Sequence, residues 1–198
     1  MPTTRQQLRR NIRQQRRQLS PAVQRRHALL MQQQICQTLW FRQARHIALY
    51  LPSDGEISPE PLIQLCWKLK KTVYLPVLHP ILHNRLWFLP YHAHSPMRLN
   101  SYKIREPRLL KAPRRPAWAL DLVCLPLVAF DSEGGRLGMG GGYYDRTFNF
   151  KLKSQGIKGP KLVGLAHALQ QVDKLPLENW DVPLTGIATE KQIFSFNC

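Results

Sequence analysis

The chain has 198 residues, of which 43% are hydrophobic and 21% charged, and its formal net charge is +17. That length suits one α/β domain with a sizeable core, and the balance of apolar to charged residues excludes an intrinsically disordered chain. No apolar run of about eighteen residues occurs and no apolar segment follows the basic N-terminus, so neither a membrane-spanning helix nor a secretory signal is expected. The charge is unevenly placed: ten arginines and no acidic residue precede Asp54. Such an arm attracts polyanions, whether nucleic acid, membrane phosphates or a small polyanionic substrate. Cys36, Cys66, Cys124 and Cys198 form no CxxC pair and have no regular spacing, which points to a reducing cytoplasm rather than a zinc or disulfide framework.

In chain order, residues 4–19 carry helix formers without Gly or Pro, but only Leu8, Ile12 and Leu19 are large and apolar, so this helix has a thin apolar stripe and a wide charged face. Ser20 followed by Pro21 is an N-cap with proline at the first helical position, opening a second helix expected to reach Leu39. Val23, Leu30, Met31, Ile35 and Leu39 fall near helical spacing as its buried face. HIALYL at 46–51 reads as a strand, the segment from Pro59 as a helix, and TVYLPVL from Thr72 as a strand, a series that argues for a parallel sheet. RLWFLPY from Arg85 is a further strand, and LDLVCLPLVAF at 120–130 is one continuous apolar run suited to burial on both faces. Residues 92–119, rich in proline and basic side chains, read as an irregular surface excursion. Residues 143–153 are expected to be helical, and KLVGLA at 161–166 and TGIATE at 185–190 to be strands.

Between the long apolar run and the helix at 143 lies GGRLGMGGGYYDR, residues 134–146. Its glycines permit positive φ angles and close approach of the backbone to a ligand, so the loop can wrap an anion in N–H groups. Arg136 before the glycines and Asp145 with Arg146 after them add cations and a potential metal carboxylate, a combination that suits a nucleotide polyphosphate with Mg²⁺. A P-loop is excluded because no Gly-Lys pair followed by Ser or Thr occurs, and GxGxxG fails because Tyr143 stands at the third glycine.

The stretch RLGMGGGYYDR closely resembles the RLGxGxGYYDR signature of the 5-formyltetrahydrofolate cyclo-ligase family. LRRNIRQQRRQLS near the N-terminus, LPSDGE at 51–56, PLI at 61–63, VYLPVL at 73–78, Glu106-Pro107, PLVAFD at 126–131 and WDVPL at 180–184 agree with it in order, so the resemblance spans nearly the whole chain. It implies a three-layer α/β/α sandwich with a mostly parallel sheet, of the kind shared by sugar-phosphate deaminases, isomerases and CoA transferases. The implied activity is ATP- and Mg²⁺-dependent cyclisation of 5-formyltetrahydrofolate, with or without a polyglutamate tail, to 5,10-methenyltetrahydrofolate with release of ADP and phosphate.

Carried onto this sequence, the resemblance assigns ATP to Arg5, Gln6, Gln7, Leu8 and Arg9, and to Arg136, Leu137, Gly138, Met139, Gly140, Gly141, Gly142, Tyr143 and Tyr144. Arg136 is the catalytic contact to the transferring phosphate. The folate falls to Leu51 and Glu56 together with Met139, Gly140, Gly141, Gly142 and Tyr143, with Tyr144 on the nucleotide side. Asp145 and Asp181 are the Mg²⁺ carboxylates. The family usually has lysine at the position of Arg5, and some members carry a cation at those of Met139 and Gly141. Beside this reading stands a second, a nucleic-acid-binding protein that uses the arginine-rich N-terminal helix. Arg10, Arg17, Arg25 and Arg26 are expected to be solvated, His79, His83, His92 and His94 to be polar loop residues, and His167 has no assigned role.

Overall fold

Each of the first three helices begins at a hydroxyl cap. Thr4 and Gln7 form a reciprocal capping box that starts α1 (Arg5–Arg17), and the Ser20 hydroxyl accepts from Val23 N to start α2 (Pro21–Cys36) with proline in its first turn. Thr38 donates to Ile35 O at 2.7 Å and accepts from Phe41 N at 3.3 Å, so one side chain closes α2 and opens α3 (Leu39–Gln43). The second helix therefore stops short of Leu39. Met31 and Ile35 are wholly buried, whereas Val23 and Leu39 are 36% and 65% exposed and do not belong to the buried face. The computed structural model describes residues 4–108, 113–153, 159–175 and 178–196, so Cys198 lies outside the described residues.

The chain then lays down β1 (His46–Ala48), α4 (Glu60–Lys68), β2 (Thr72–Leu78), β3 (Leu86–Pro90), β4 (Met97–Leu99), β5 (Arg105–Pro107), β6 (Leu122–Pro126), β7 (Ala129–Phe130), β8 (Arg136–Leu137), α5 (Tyr143–Phe148), α6 (Phe150–Lys153), β9 (Lys161–Leu165), β10 (Gly186–Ala188) and β11 (Ile193–Ser195). The main sheet has the order β11-β10-β9-β6-β1-β2-β3. Strands β10, β9, β6, β1 and β2 are parallel, and β3 and β11 pair antiparallel at the two edges. From β1 the chain moves one way to β2 and later returns on the other side to β6, which makes the β1–β6 boundary the switch point of the sheet.

Alternate residues of the central strands feed two cores. On one face Ile47, Val73, Leu122, Cys124 and Val163 meet Met31 and Ile35 of α2, Phe41 of α3, and Leu62, Ile63 and Cys66 of α4. On the other, Ala48, Tyr74, Val123, Leu125, Leu162 and Ile187 meet Leu127, Phe130, Phe148, Val182 and Leu184. The result is the three-layer, mostly parallel α/β sandwich anticipated from the sequence. Among the described residues no helix is long and apolar enough to cross a membrane.

The expected elements differ in places, the helix over 143–153 dividing into α5 and α6. The run at 120–130 divides into β6 and β7, because beyond Pro126 the chain leaves the main sheet and pairs with β8 in a separate hairpin. Buried Asp131 holds that hairpin, accepting from Glu133 N and Gly135 N through Oδ1 and from Leu175 N through Oδ2. Within 92–119, β4 and β5 form a second hairpin whose Glu106 is only 2% exposed and accepts from Leu78 N at the end of β2 and from Arg98 and Asn100. The edge strand β11 gave no signal in the sequence.

Helix α1 is bound to the rest of the molecule by charge. Arg16 is fully buried; its guanidinium donates to Asp54 O at 2.7 Å, Asp54 Oδ2 at 2.8 Å and Leu127 O at 3.3 Å. Arg13 reaches Asp54 Oδ2 at 2.6 Å and Arg17 pairs with Asp54 Oδ1, so Arg17 is not simply solvated. Asp54 and Gly55 both have positive φ, 52° and 74°, and a Cβ on Gly55 would stand 3.1 Å from Arg16 O, so glycine lets this turn lie directly against α1.

Burial alone would raise the Asp54 carboxyl, but hydrogen bonds from Arg13, Arg17 and Arg16 outweigh it and hold the group below its ordinary value. A depressed carboxylate contributes stability above the unfolded value, near 4, and loses it as pH falls through the folded one. Asp54→Asn is therefore expected to cost roughly 2–4 kcal/mol at pH 7, because it leaves a buried guanidinium underpaired. Urea denaturation at pH 7 and pH 3 checks this, the deficit shrinking at the lower pH.

Candidate functional site

A cavity of about 970 Å³ opens at the carboxyl ends of β1, β2 and β6, at the switch point of the sheet. Its walls are the turn after β1, the glycine loop and first turn of α5, the β4–β5 turn, and one face of α1. Arg5 and Arg9 reach it from α1, Leu51 and Glu56 from the turn after β1, and Arg136 from β8. Gly138, Met139, Gly140, Gly141 and Gly142 form one wall, Tyr143, Tyr144 and Asp145 continue it, and Asp181 adds to it near the C-terminus.

Four expected residues do not reach it. Gln6 and Gln7 face solvent, and Gln7 is engaged in the helix cap. Leu8 and Leu137 pack instead in a small apolar cluster with Ile12, Val128, Ala129 and Leu175 that seats α1 on the β7–β8 hairpin. The family stretch on α1 thus divides by helical phase into cavity residues at 5 and 9 and packing or solvent positions between them.

One end of the cavity is basic and incompletely satisfied. Arg5 pairs with Glu178 at 3.1 Å and Asp181 at 3.5 Å, yet its Nε is buried with no hydrogen-bond partner. Arg9 donates to Gly138 O at 2.8 Å, and burial, then the neighbouring Arg5, push its pKa down. Arg136, 8% exposed, donates to Val182 O and pairs with Asp145; burial lowers its pKa, and Asp145 and Asp181 oppose that shift. The N–H groups of residues 138–142 make no hydrogen bonds among the described residues. N–H groups of an exposed loop beside crowded guanidiniums give this end of the cavity the chemistry to hold an anion. Asp145 uses only Oδ1 and Asp181 only Oδ2, so each keeps one carboxylate oxygen without a hydrogen bond among the described residues. Hard oxygen donors of this kind fit Mg²⁺.

The other end is apolar with one acid. Leu51, Leu75 and Leu125 line it beside Glu56, whose Oε2 accepts from Ser53 N at 3.0 Å and Ser53 Oγ at 3.3 Å, with Arg16 at 3.9 Å from Oε1. Burial raises the Glu56 carboxyl, only partly offset by Ser53 and Arg16. Tyr144 lines the cavity within electrostatic reach of Glu56: burial first, then that carboxylate, push its phenol up. Tyr143 faces the β4–β5 turn, where its hydroxyl meets that of Tyr102 at 2.7 Å, and burial with this hydrogen bond pushes it up to about 12.

Several cavity residues were not among the expected site residues. Asn100, Tyr102 and Glu106 come from the segment read as an irregular excursion, although the Glu106-Pro107 pair marked its one buried acid. Arg146 donates to Gly141 O at 2.7 Å and braces the glycine loop. Of the arginines on α1, Arg5, Arg9, Arg13, Arg16 and Arg17 all turn toward protein partners, and Arg10 alone is exposed without one among the described residues. That disposition leaves little of the helix to track a nucleic-acid backbone. His79 caps its own turn, accepting from Ile81 N and Leu82 N.

An α/β sandwich with a large cavity at its switch point, basic and glycine-rich at one end and apolar with a buried acid at the other, defines the class: an α/β protein with a small-molecule site at the carboxyl ends of its parallel strands. The model of the 5-formyltetrahydrofolate cyclo-ligase family matches residues 2–190, and the chain belongs to that family. It is 46% identical over 183 residues to the 5-formyltetrahydrofolate cyclo-ligase of Haemophilus influenzae, covering 92% of this chain and 96% of the relative. It is 42% identical over 188 residues to that of Escherichia coli K12, covering 93% and 100%. The structure resembles 5,10-methenyltetrahydrofolate synthetase from Aquifex aeolicus with a TM-score of 0.81 and 29% identity, over 98% of this chain and 93% of that one.

The loop geometry makes its own prediction. Gly142 caps α5 at φ +63°, and a Cβ there would fall 2.6 Å from Arg146 Nη1, whereas nothing lies within 4 Å of a Cβ on Gly138. Gly142→Ala is expected to cost about 1–2 kcal/mol through left-handed strain, and Gly138→Ala less than about 0.5 kcal/mol. Paired thermal melts check the contrast.

Proposed function

We propose that this chain is an ATP-dependent enzyme that cyclises 5-formyltetrahydrofolate to 5,10-methenyltetrahydrofolate, releasing ADP and phosphate. The observation that carries the reading is the division of one cavity into an anion-seeking basic end and an apolar end with a buried acid, in a chain of this family. The formyl oxygen takes the γ-phosphoryl group of ATP, N10 of the folate attacks the activated carbon, and phosphate leaves as the ring closes. Such a reaction needs positioning and charge neutralisation more than a protein nucleophile.

Arg5, Arg9 and Arg136 supply that neutralisation. Arg5 and Arg9 are one helical turn apart, so both reach a single phosphate chain. The orphaned Arg5 Nε and the unpaired N–H groups of Gly138 to Gly142 support a phosphate as the missing acceptor. Arg136 is held by Asp145 and Val182 O and contacts the transferring phosphate. Asp145 and Asp181 would hold Mg²⁺ through their free oxygens. When bound, the ion supplies charge neutralisation at the β- and γ-phosphate oxygens. Glu56 accepts from the N–H edge of the pterin ring, and Leu51 and Tyr143 flank the folate.

Incubation with 5-formyltetrahydrofolate, Mg²⁺ and ATP while following methenyltetrahydrofolate absorbance tests the proposal. Turnover is expected, and its absence in a folded preparation would overturn it. Asp145→Asn is expected to lower kcat and weaken Mg²⁺ dependence, so full Mg²⁺-dependent activity in that variant would remove Asp145 from the metal site.

Glu56 gives a pH signature. Its carboxylate form exists above its pKa, which burial raises, so folate affinity is expected to fall with decreasing pH from a point above the ordinary value of a glutamate. Glu56→Gln should reduce kcat/KM by about 10- to 100-fold, the loss of one charged hydrogen bond, and abolish that acid limb. A pH profile of kcat/KM for the two proteins checks both.

A further inference from the structure

His27, His167 and Glu190 converge from three elements that the proposed reaction does not use. His27 lies on α2, His167 follows β9, and Glu190 follows β10. Their nearest ligand-type atoms all fall within 4.8 Å of one another, and none of the three residues lines the cavity. His167 is completely buried, Glu190 nearly so, and the His27 side chain is 20% exposed, which gives the cluster an entry from solvent.

The hydrogen bonds fix how the donor atoms point. His167 Nε2 lies 3.3 Å from the Gly55 carbonyl, which can only accept, so that nitrogen carries the proton and the Nδ1 lone pair is left for the cluster. His27 Nδ1 stands 3.0 Å from that lone pair and 3.7 Å from Glu190 Oε1. Glu190 Oε2 accepts from Ala168 N at 2.8 Å, which holds the carboxylate with Oε1 toward the histidines. Two imidazole nitrogens and a carboxylate oxygen thus converge within 4.8 Å of one another, with Gly55 O behind His167 and Ala168 N behind Glu190. Metal–nitrogen bonds of about 2.0–2.1 Å put neighbouring ligand atoms roughly 3 Å apart, the separation of the two Nδ1 atoms here.

We infer that His27, His167 and Glu190 form a second cation site, separate from the nucleotide end of the cavity, for a borderline divalent transition ion of the Zn²⁺ class. Nitrogen donors favour such an ion over Mg²⁺, and three protein ligands leave a position for water. Without the ion His27 Nδ1–H donates to His167 Nδ1; binding replaces that shared proton with the ion, and His27 moves its proton to Nε2. The His167 Nε2–H to Gly55 bond is then the outer support that orients a metal-bound imidazole. Gly55 belongs to the turn that carries Glu56, so the ion braces this turn from behind.

The test uses untagged full-length protein stripped with chelator. Titration with Zn²⁺ by calorimetry is expected to show one equivalent bound, and Co²⁺ to give a visible d–d absorption band that Zn²⁺ displaces. His27→Ala and Glu190→Gln are each expected to weaken Zn²⁺ binding by at least about tenfold and to lose the Co²⁺ band. His27 is partly exposed on a helix surface, so its variant keeps the fold, checked by an unchanged apo circular dichroism spectrum. Substoichiometric Zn²⁺ binding by the parent protein would overturn the assignment and leave a hydrogen-bonded histidine pair. Equal binding by parent and His27→Ala would overturn it too, placing the ion on thiols or surface histidines. These readouts are independent of folate turnover.

Discussion

The buried guanidinium of Arg16 is the constraint from which much of the molecule's arrangement follows. A charge wholly removed from water must be matched locally, and Arg16 is matched by the side chain and carbonyl of Asp54 and by the carbonyl of Leu127. Those partners belong to the turn after β1 and to the chain leaving β6, the two strands that meet at the switch point. One side chain therefore fixes α1 over the opening between them. Arg5, Arg9, Ile12 and Arg16 lie on one stripe of the helix at helical spacing, so anchoring Arg16 also aims Arg5 and Arg9 into the cavity. The stripe is basic where most amphipathic helices are apolar, because it faces carbonyls and carboxylates rather than a hydrophobic core.

The cavity depends on this anchor and on two hairpins. Asp131 shapes the β7–β8 hairpin that delivers Arg136 and the glycine loop, and Glu106 ties the β4–β5 hairpin to the end of β2. Both are buried carboxylates, Asp131 satisfied by backbone N–H groups and Glu106 by Leu78 N with the side chains of Arg98 and Asn100, so they act as rigid pegs at the margins of the sheet. The basic end is the opposite case: Arg5 Nε is buried without a partner and the N–H groups of residues 138–142 bond to nothing among the described residues, an imbalance that supports the phosphate proposed there. The turn at 53–56 belongs to both regimes, held by α1 on one side and carrying Glu56 into the cavity on the other.

Much of the fold was legible because strong local signals and tertiary demands agreed. The apolar runs of β2 and β9 and the Ser20-Pro21 cap agree with the structure, and the glycine loop with its flanking charges lies on the cavity. Other features escaped for physical reasons. Thr38 breaks the helix through a side-chain hydrogen bond that apolar spacing does not report. The split of 120–130 depends on where the chain can leave the main sheet, and β11 is a short, partly exposed edge strand with little pattern. Gln6, Gln7, Leu8 and Leu137 share motif stretches with cavity residues, yet helical phase and strand alternation turn them elsewhere.

What the sequence determined by itself was the set of local conformations and the chemistry of each segment: a parallel sheet buried on both faces, a loop able to cradle an anion, and a family signature that names the residues as a group. Only the tertiary structure decided which of those residues meet. Asp54 and its arginines are separated by some forty positions, and His27 by far more from His167 and Glu190, so no local pattern relates them. Their pairing comes from the order of the strands and the burial of charge, which require partners from distant segments to neutralise one another where water cannot.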